Sequence, residues 1–380
     1  MTWDIFCTVI DNFGDIGVTW RLARQLTAEH GVAVRLWVDD LEAFRRIRPE
    51  IDARRETQHL AGVEIRRWTD PLPEVEPGRV VIEALACNLP EAFVARMAAR
   101  EPRPVWLNLE YLTAESWAKG VHGLPSPHPR LPLTKFFFMP GYEAGTGGLT
   151  RENWLARERA AFQADRATRD AFWHGLGVPG EQSGELRISL FSYENAALNG
   201  LLSGWSRAGA PVRVMVPWGK AVSDVTCWFG LPQPPTTGSV LTRGHLTVHL
   251  LPMLDQDAYD RLLWACDLNF VRGEDSFARA QFAARPLVWQ AYRQDDAAHF
   301  AKLDAFLDLY CAGLADDLGR LLQDAWHAWN RETDFAALWP AWQAALPDLG
   351  KHAALWCSHL TEQADLASNL LMFCEKKLES

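Results

Sequence analysis

The chain has 380 residues, 48% of them hydrophobic and 23% charged, with a formal net charge of −10. That length exceeds one typical core and predicts two domains. No apolar run reaches about 18 residues, which excludes a membrane-spanning helix, and the acidic balance argues against a nucleic-acid partner, which needs a basic face.

Met1-Thr2-Trp3-Asp4 leads directly into a strand, without the basic and apolar regions of a signal peptide. The seven cysteines show no C-x-x-C and no metal-like spacing. Such an odd, unpatterned set suits a reducing compartment, so a cytoplasmic location is expected. No metal site is expected. The 18 tryptophans read chiefly as packing residues.

Ile5 to Ile10 is apolar and predicts a buried strand, and Val18 to Leu26 predicts an amphipathic helix. Val32 to Val38 predicts a second strand ending at Asp39-Asp40, and Leu41 to Ile47 a short helix. Val63 to Trp68 and Val80 to Glu83 follow as strands, then a helix from Pro90 to Ala99 and a strand from Val105 to Tyr111. Val121 to Pro132, rich in Gly, Pro and His, reads as a long surface loop with His122 and His128 as surface residues. Lys135 to Pro140 returns to strand, and Thr150 to Gly175 reads as helical. Gly175 to Glu185 is the expected linker between domains.

A second alternating set begins at Leu186. Strands are predicted at Arg187 to Tyr193, Val212 to Val216, Leu246 to Leu251, Asp267 to Val271 and Leu287 to Ala291. Helices are predicted at Asn195 to Ser206, Tyr259 to Ala265 and from Phe277 onward, and the remainder to Ser380 reads as largely helical. Strand and helix alternate in both halves, which predicts an α/β protein built as two Rossmann-like, doubly wound domains.

Asp11-Asn12-Phe13-Gly14-Asp15-Ile16-Gly17 occupies the first strand-to-helix loop. In an open α/β sheet that loop lies at the carboxyl ends of the strands, where ligands bind. Two readings stand. Asp11 and Asp15 are a carboxylate pair that abstracts a proton and holds a cation, or Asp15 caps the helix and Asp11 closes a turn. Arg272-Gly273-Glu274-Asp275-Ser276 stands in the matching context of the second half. It offers backbone N–H groups and a guanidinium to a diphosphate, or it is a plain helix start. Phe191-Ser192-Tyr193 ends a strand and either lines a sugar-nucleotide pocket or packs there. Asp255-Gln256-Asp257 has the D-x-D form of metal-dependent sugar transferases, but Asp255 before a helix reads as a cap. The amide of Gln256 suits a pyrimidine edge. Gly145-Thr146-Gly147-Gly148 lacks the Lys-Ser/Thr of a P-loop and reads as a tight turn.

These residues carry a family resemblance. Asp11 to Val18 with Trp20-Arg21-Leu22-Ala23-Arg24 resembles the N-terminal signature of the bacterial elongation factor P arginine rhamnosyltransferases, the EarP family. Arg272 to Phe277 with Arg279-Ala280-Gln281 resembles their second signature. Gly147-Gly148-Leu149, Phe191-Ser192-Tyr193, Leu251-Pro252 with Gln256, and Trp289-Gln290 with Tyr292 fit as well. The resemblance implies a GT-B fold, with two Rossmann-like domains facing a central cleft. It implies residues 1–178 as the acceptor domain, 185–360 as the nucleotide-sugar domain, and a C-terminal helix, 361–380, that packs back onto the first.

The same resemblance implies inverting, metal-independent transfer of L-rhamnose from dTDP-β-L-rhamnose to an arginine of elongation factor P, with no resident cofactor. By position, Asp15 is the base or the carboxylate that orients the guanidinium, and Asp11 assists. Asn12, Phe13, Gly14 and Gly17 line the acceptor side. Glu274, with the backbone of Asp275 and Ser276, holds the donor's sugar and diphosphate. Gly273, Phe191, Tyr193, Arg272 and Gln290 complete that side, with Gln256 on the thymine. Met253 stands where the family often has an aromatic that stacks on the base, and Met also packs against ring faces. Arg293 replaces the proline usual after the tyrosine. The alternative is a GT-B glycosyltransferase or sugar-nucleotide epimerase without a protein acceptor.

Overall fold

The computed structural model describes residues 2–10, 13–294 and 296–379. The chain forms two compact units, Met1–Asn153 with Glu362–Ser380, and Trp154–Thr361.

In the first unit the strands are β1 (Thr2–Cys7), β2 (Ala33–Val38), β3 (Thr57–Leu60), β4 (Val63–Arg67), β5 (Val80–Ala84), β6 (Val105–Leu109), β7 (Pro125–Pro127) and β8 (Thr134–Phe138). They lie in the order β3-β4-β2-β1-β5-β6-β8-β7. All neighbours pair in parallel except the edge strands β3 and β7. The helices between them are α1 (Gly14–His30), α2 (Leu41–Ile47), α3 (Glu91–Ala99) and α4 (Trp117–Val121). β1 has β2 on one side and β5 on the other, so the chain leaves its centre in opposite directions. The carboxyl ends of β1 and β5 therefore flank a switch point, where the following loops diverge and open a crevice.

The second unit opens with α5 (Leu155–Ala164) and α6 (Arg166–Gly175). Its strands are β9 (Leu186–Leu190), β10 (Val212–Pro217), β11 (Val240–Arg243), β12 (Leu246–Leu251), β13 (Leu268–Arg272) and β14 (Leu287–Gln290), in the order β11-β12-β10-β9-β13-β14. Only β11 is antiparallel to its neighbour. The remaining helices are α7 (Leu198–Ser206), α8 (Ala221–Trp228), α9 (Gln256–Ala265), α10 (Asp275–Phe282), α11 (Ala298–Tyr310), α12 (Asp316–Asn330) and α13 (Trp339–Glu362). The two sheets share one plan: β9 stands for β1, β13 for β5, and the β11–β12 pair for β3–β4. Here the switch point lies between β9 and β13. The chain then returns to the first unit as α14 (Leu366–Leu378).

Several expectations change in detail. Gly175 to Glu185 is not the crossing between units. It lies inside the second unit, where Arg187 donates to the carbonyls of Pro179 at 2.9 Å and Gly180 at 2.7 Å. The helices before it belong there too, because Gln163 Nε2 donates to Trp264 O and Ala283 O at 3.1 and 2.9 Å. The helix expected over 150–175 breaks at Asp165, whose carboxylate accepts from Ala167 N and caps α6. Val121 to Pro132 contains β7, and its histidines are half-buried acceptors rather than surface groups. His122 Nδ1 accepts from Met139 N at 3.1 Å, and His128 Nδ1 from Leu131 N at 3.0 Å. Burial pushes the His122 imidazole below its ordinary range. β3, α8 and β11 escaped notice because their runs are short and half polar.

The return of the chain end is tightly built. Leu366 N donates to Leu149 O at 2.9 Å, and Asn369 Nδ2 to Gly147 O at 3.0 Å. Gly148 sits at φ +77°, and a Cβ there would lie 2.4 Å from Ala364 O, so only glycine fits. Phe373 meets Phe136 and Phe138 edge-on. Many tryptophans are core, with Trp20, Trp37, Trp205, Trp326, Trp329 and Trp342 fully buried.

One buried polar group gives the second unit a pH dependence. Glu185 accepts from Arg187 Nε at 2.9 Å and Arg213 Nε at 2.7 Å, and Arg213 meets His249 Nε2 at 2.6 Å. Burial, then the positive Arg213, lower the His249 pKa to about 4. In the unfolded chain it returns to about 6.5. The unfolded state therefore binds the extra proton between these values, and stability falls as pH drops from about 6.5 to about 4. Urea midpoints measured across that range are expected to fall, by on the order of 1–3 kcal/mol in stability. His249→Gln, which keeps an acceptor for Arg213, is expected to flatten that part of the profile.

Candidate active site

In the first unit, the loop after β1 is tied by two carboxylates from different elements. Asp39, which follows β2, accepts from Val9 N at 2.9 Å and from Asp40 N at 2.8 Å. Asp15, second residue of α1, accepts from Ile10 N at 2.7 Å. Asp15 is 1% exposed, and its other oxygen accepts from the Tyr111 hydroxyl at 3.2 Å. That hydroxyl also lies 3.1 Å from Leu85 O. Tyr111 follows β6 and Leu85 follows β5, so groups from three strand ends converge on one carboxylate. The residue at the helix cap position is Phe13, which has no side-chain cap bond. Asp15 reaches back over the loop instead of capping α1, which sets aside its reading as a plain cap. Gly14 starts the helix and Gly17 N donates to Phe13 O at 2.9 Å. Asp11 and Asn12 lie outside the described residues.

In the second unit, Arg272 ends β13. Its guanidinium carbon stands 4.6 Å from the Phe191 ring centre and 4.5 Å from that of Tyr193, a cation held between two π faces. Gln290, at the end of β14, fixes the Tyr193 segment by accepting from Tyr193 N at 3.0 Å. Gly273 turns the chain at φ +62°, and its carbonyl accepts from Trp289 Nε1 at 2.8 Å. Trp289 in turn stacks on Phe277 with ring centres 4.0 Å apart. Glu274 occupies the cap position of α10 with no side-chain cap bond. The Ser276 hydroxyl donates to Arg272 O.

Gln256 Nε2 donates to Asp275 Oδ2 at 3.0 Å, joining the first turns of α9 and α10. Deeper, Arg279 locks the same helices through Asp260, with Arg279 Nη2 2.6 Å from Asp260 Oδ2. Asp255 accepts from Ala258 N at 2.8 Å, so the first acid of the D-x-D is the cap of α9. Met253 sits half-buried in the turn before it.

Hydrogen bonds and ring contacts thus bring Phe191, Tyr193, Arg272, Gly273, Asp275, Ser276, Gln256 and Gln290 into one cluster of strand ends. Tyr111, Asp39, Trp289 and Tyr259 were missed as site residues. Tyr259 packs on Phe191 at 5.4 Å between ring centres, and burial pushes its hydroxyl above the ordinary phenol range. Their signal was available: each stands at the end of a strand or in the first turn of the helix after one. Among the described residues, no group of three or more His, Cys, Asp or Glu side chains is placed to hold a metal ion.

The chemistry of the two units differs in sign. The first presents a buried carboxylate with hydrogen bonds on both oxygens, suited to a cationic or proton-losing group. The second presents a clamped guanidinium beside the N-terminus of a helix, suited to a phosphate.

Comparison with known proteins places this arrangement. The profile of the family described as "Elongation-Factor P (EF-P) rhamnosyltransferase EarP" matches residues 3–375, and the chain belongs to that family. It is 51% identical over 377 residues to a protein-arginine rhamnosyltransferase of Pseudomonas putida, covering 99% of both chains. Against the protein of that name from Pseudomonas aeruginosa it is 50% identical over 372 residues, covering 98% of both. A solved structure described as the structural basis for EarP-mediated arginine glycosylation of translation elongation factor EF-P superposes with a TM-score of 0.70. The sequences there are 39% identical, with 99% of each chain covered. Phytolacca americana UGT2 shares the fold alone, at a TM-score of 0.52 and 12% identity over the full length of both chains. The two Rossmann-like units are those of the GT-B class.

Arg272→Lys keeps the charge but loses the planar group that fits between two rings. If this cluster takes a phosphate, the change is expected to weaken binding of an added nucleoside diphosphate roughly tenfold by calorimetry, with the melting temperature little changed.

Proposed function

We propose that this member of the EarP family transfers L-rhamnose from dTDP-β-L-rhamnose to an arginine side chain of elongation factor P, with inversion and without a metal ion. The reaction belongs in the cytoplasm, where a translation factor works. The observation that carries this reading is that each of two alike sheets sets a charged group at its central switch point, Asp15 after β1 in the first and Arg272 at the end of β13 in the second. One site is shaped for a guanidinium, the other for a diphosphate. The first unit takes the acceptor and the second the donor.

An arginine side chain stays protonated at neutral pH, with a pKa above about 12. The Asp15 carboxylate is held by Ile10 N and the Tyr111 hydroxyl, and a carboxylate fixed in this way is an acceptor for the N–H groups of an incoming guanidinium. The carboxylate thereby aligns the guanidinium and fixes which nitrogen faces the sugar. As that nitrogen's electron pair forms the bond to the anomeric carbon, the bond from carbon to the diphosphate oxygen breaks. The nitrogen becomes more acidic as positive charge builds on it, and its proton passes to Asp15. Attack from the face opposite dTDP inverts the centre, through an oxocarbenium-like transition state. The charge growing on the leaving diphosphate meets Arg272 and the positive end of the α10 dipole. Glu274 suits the sugar hydroxyls, and Gln256 the thymine edge. Asp11, Asn12, Phe13, Gly14 and Gly17 line the acceptor side; Phe191, Tyr193, Met253, Gly273, Asp275, Ser276 and Gln290 surround the donor.

Elongation factor P incubated with this chain and dTDP-L-rhamnose is expected to gain the mass of one deoxyhexose on an arginine, with or without chelator. Intact-protein and peptide mass spectrometry check this; no gain with dTDP-rhamnose still bound would point to another acceptor. Asp15→Asn is expected to lower the transfer rate by about 10²-fold or more while calorimetry shows dTDP bound as before. Turnover at the wild-type rate would remove Asp15 from the chemistry.

A further inference from the structure

The carboxyl edge of the second sheet contains one turn that the donor site has not yet used. It is Trp218-Gly219-Lys220, between β10 and α8. β10 lies beside β9 in parallel register, with Met215 opposite Ser189, so this turn and the Phe191-Ser192-Tyr193-Glu194 loop leave adjacent strands. Two contacts join them. A Cβ at Gly219 would lie 3.2 Å from Phe191 Cε2, so the turn's backbone packs against the ring that supports Arg272. Lys220 Nζ is 3.4 Å from Glu194 Oε1.

Both side chains of the turn face outward. Trp218 is 39% exposed, in a unit where Trp173, Trp205, Trp326, Trp329 and Trp342 are fully buried. An indole left open on the turn that packs against Phe191 is a surface for stacking rather than packing. Lys220 and Glu194 are both more than half exposed. Such a pair is weak and readily exchanged for a better anion. The neighbourhood also needs a cation. Glu194 follows Tyr193, and Glu274 and Asp275 follow Arg272 and Gly273, so a diphosphate entering beside these carboxylates gains from a second cation.

We propose that this turn is a wall of the donor site: the Trp218 indole stacks on the nucleobase of the nucleotide-sugar, and Lys220 leaves Glu194 to pair with its diphosphate. Trp218 thus contributes to affinity through the base, and Lys220 through charge. The proposal rests on the donor reading above.

The two are separated by calorimetry on the full chain with dTDP, and by competition with thymidine, which lacks phosphate. Trp218→Ala is expected to weaken both ligands roughly tenfold, and Trp218→Phe, which keeps a stacking face, to stay within about threefold. Trp218→Gln serves if the alanine variant does not fold, with the same expected loss. Lys220→Met is expected to weaken dTDP roughly tenfold and leave thymidine unchanged. If Trp218→Ala and Trp218→Gln bind dTDP as the wild type does, the stacking role is overturned. If Lys220→Met does, the charge role is overturned. A wild-type chain that binds no dTDP would instead sink the donor reading itself.

Discussion

A carboxylate buried in a protein must be given donors or it unfolds its surroundings, and Asp15 draws its donors from separate strand ends. Ile10 N comes from the loop after β1 and the Tyr111 hydroxyl from the end of β6. The group therefore exists in this form only when the parallel strands are in register at their carboxyl ends. Its geometry is a property of the sheet, set before any ligand arrives, and removing one donor would leave a buried charge short of partners. Asp39 ties the preceding amide of the same loop to the end of β2. The first functional loop is thus braced from both sides of β1.

The second unit solves the opposite electrostatic problem on the same plan. Arg272 is 6% exposed, and its guanidinium lies against the faces of Phe191 and Tyr193. Arg279, in the helix that follows, is buried with Asp260 and fastens α10 to α9. Two arginines of one motif therefore have different surroundings, one lying on ring faces and the other bound to the carboxylate of a neighbouring helix.

Much of this was legible in the chain. The alternation of strand and helix, the two-unit plan and the two strand-end loops follow from apolar runs and glycine-acid clusters, because parallel strands buried on both faces must be continuously hydrophobic. The unit boundary was not legible in the same way. Glycines at 175, 177, 180 and 184 look like a linker, but composition does not record that Arg187 and Arg169 pin that loop to their own unit. The true crossing near Asn153 has no compositional mark. Tyr111 and Trp289 escaped for a related reason: an aromatic at a strand end reads as packing until its polar atom is seen to reach a neighbouring strand.

The likeness of the two sheets explains where the chemistry sits. Both begin at a central strand, cross to one side, close that side with an antiparallel edge, then restart on the other side. A framework that recurs with so little shared sequence is specified by hydrophobic pattern, which tolerates wide substitution. The residues that differ in kind are those at the switch points, where backbone leaves the sheet and side chains no longer answer to the core. A carboxylate at one and a guanidinium at the other give each unit a charge preference that its scaffold does not have.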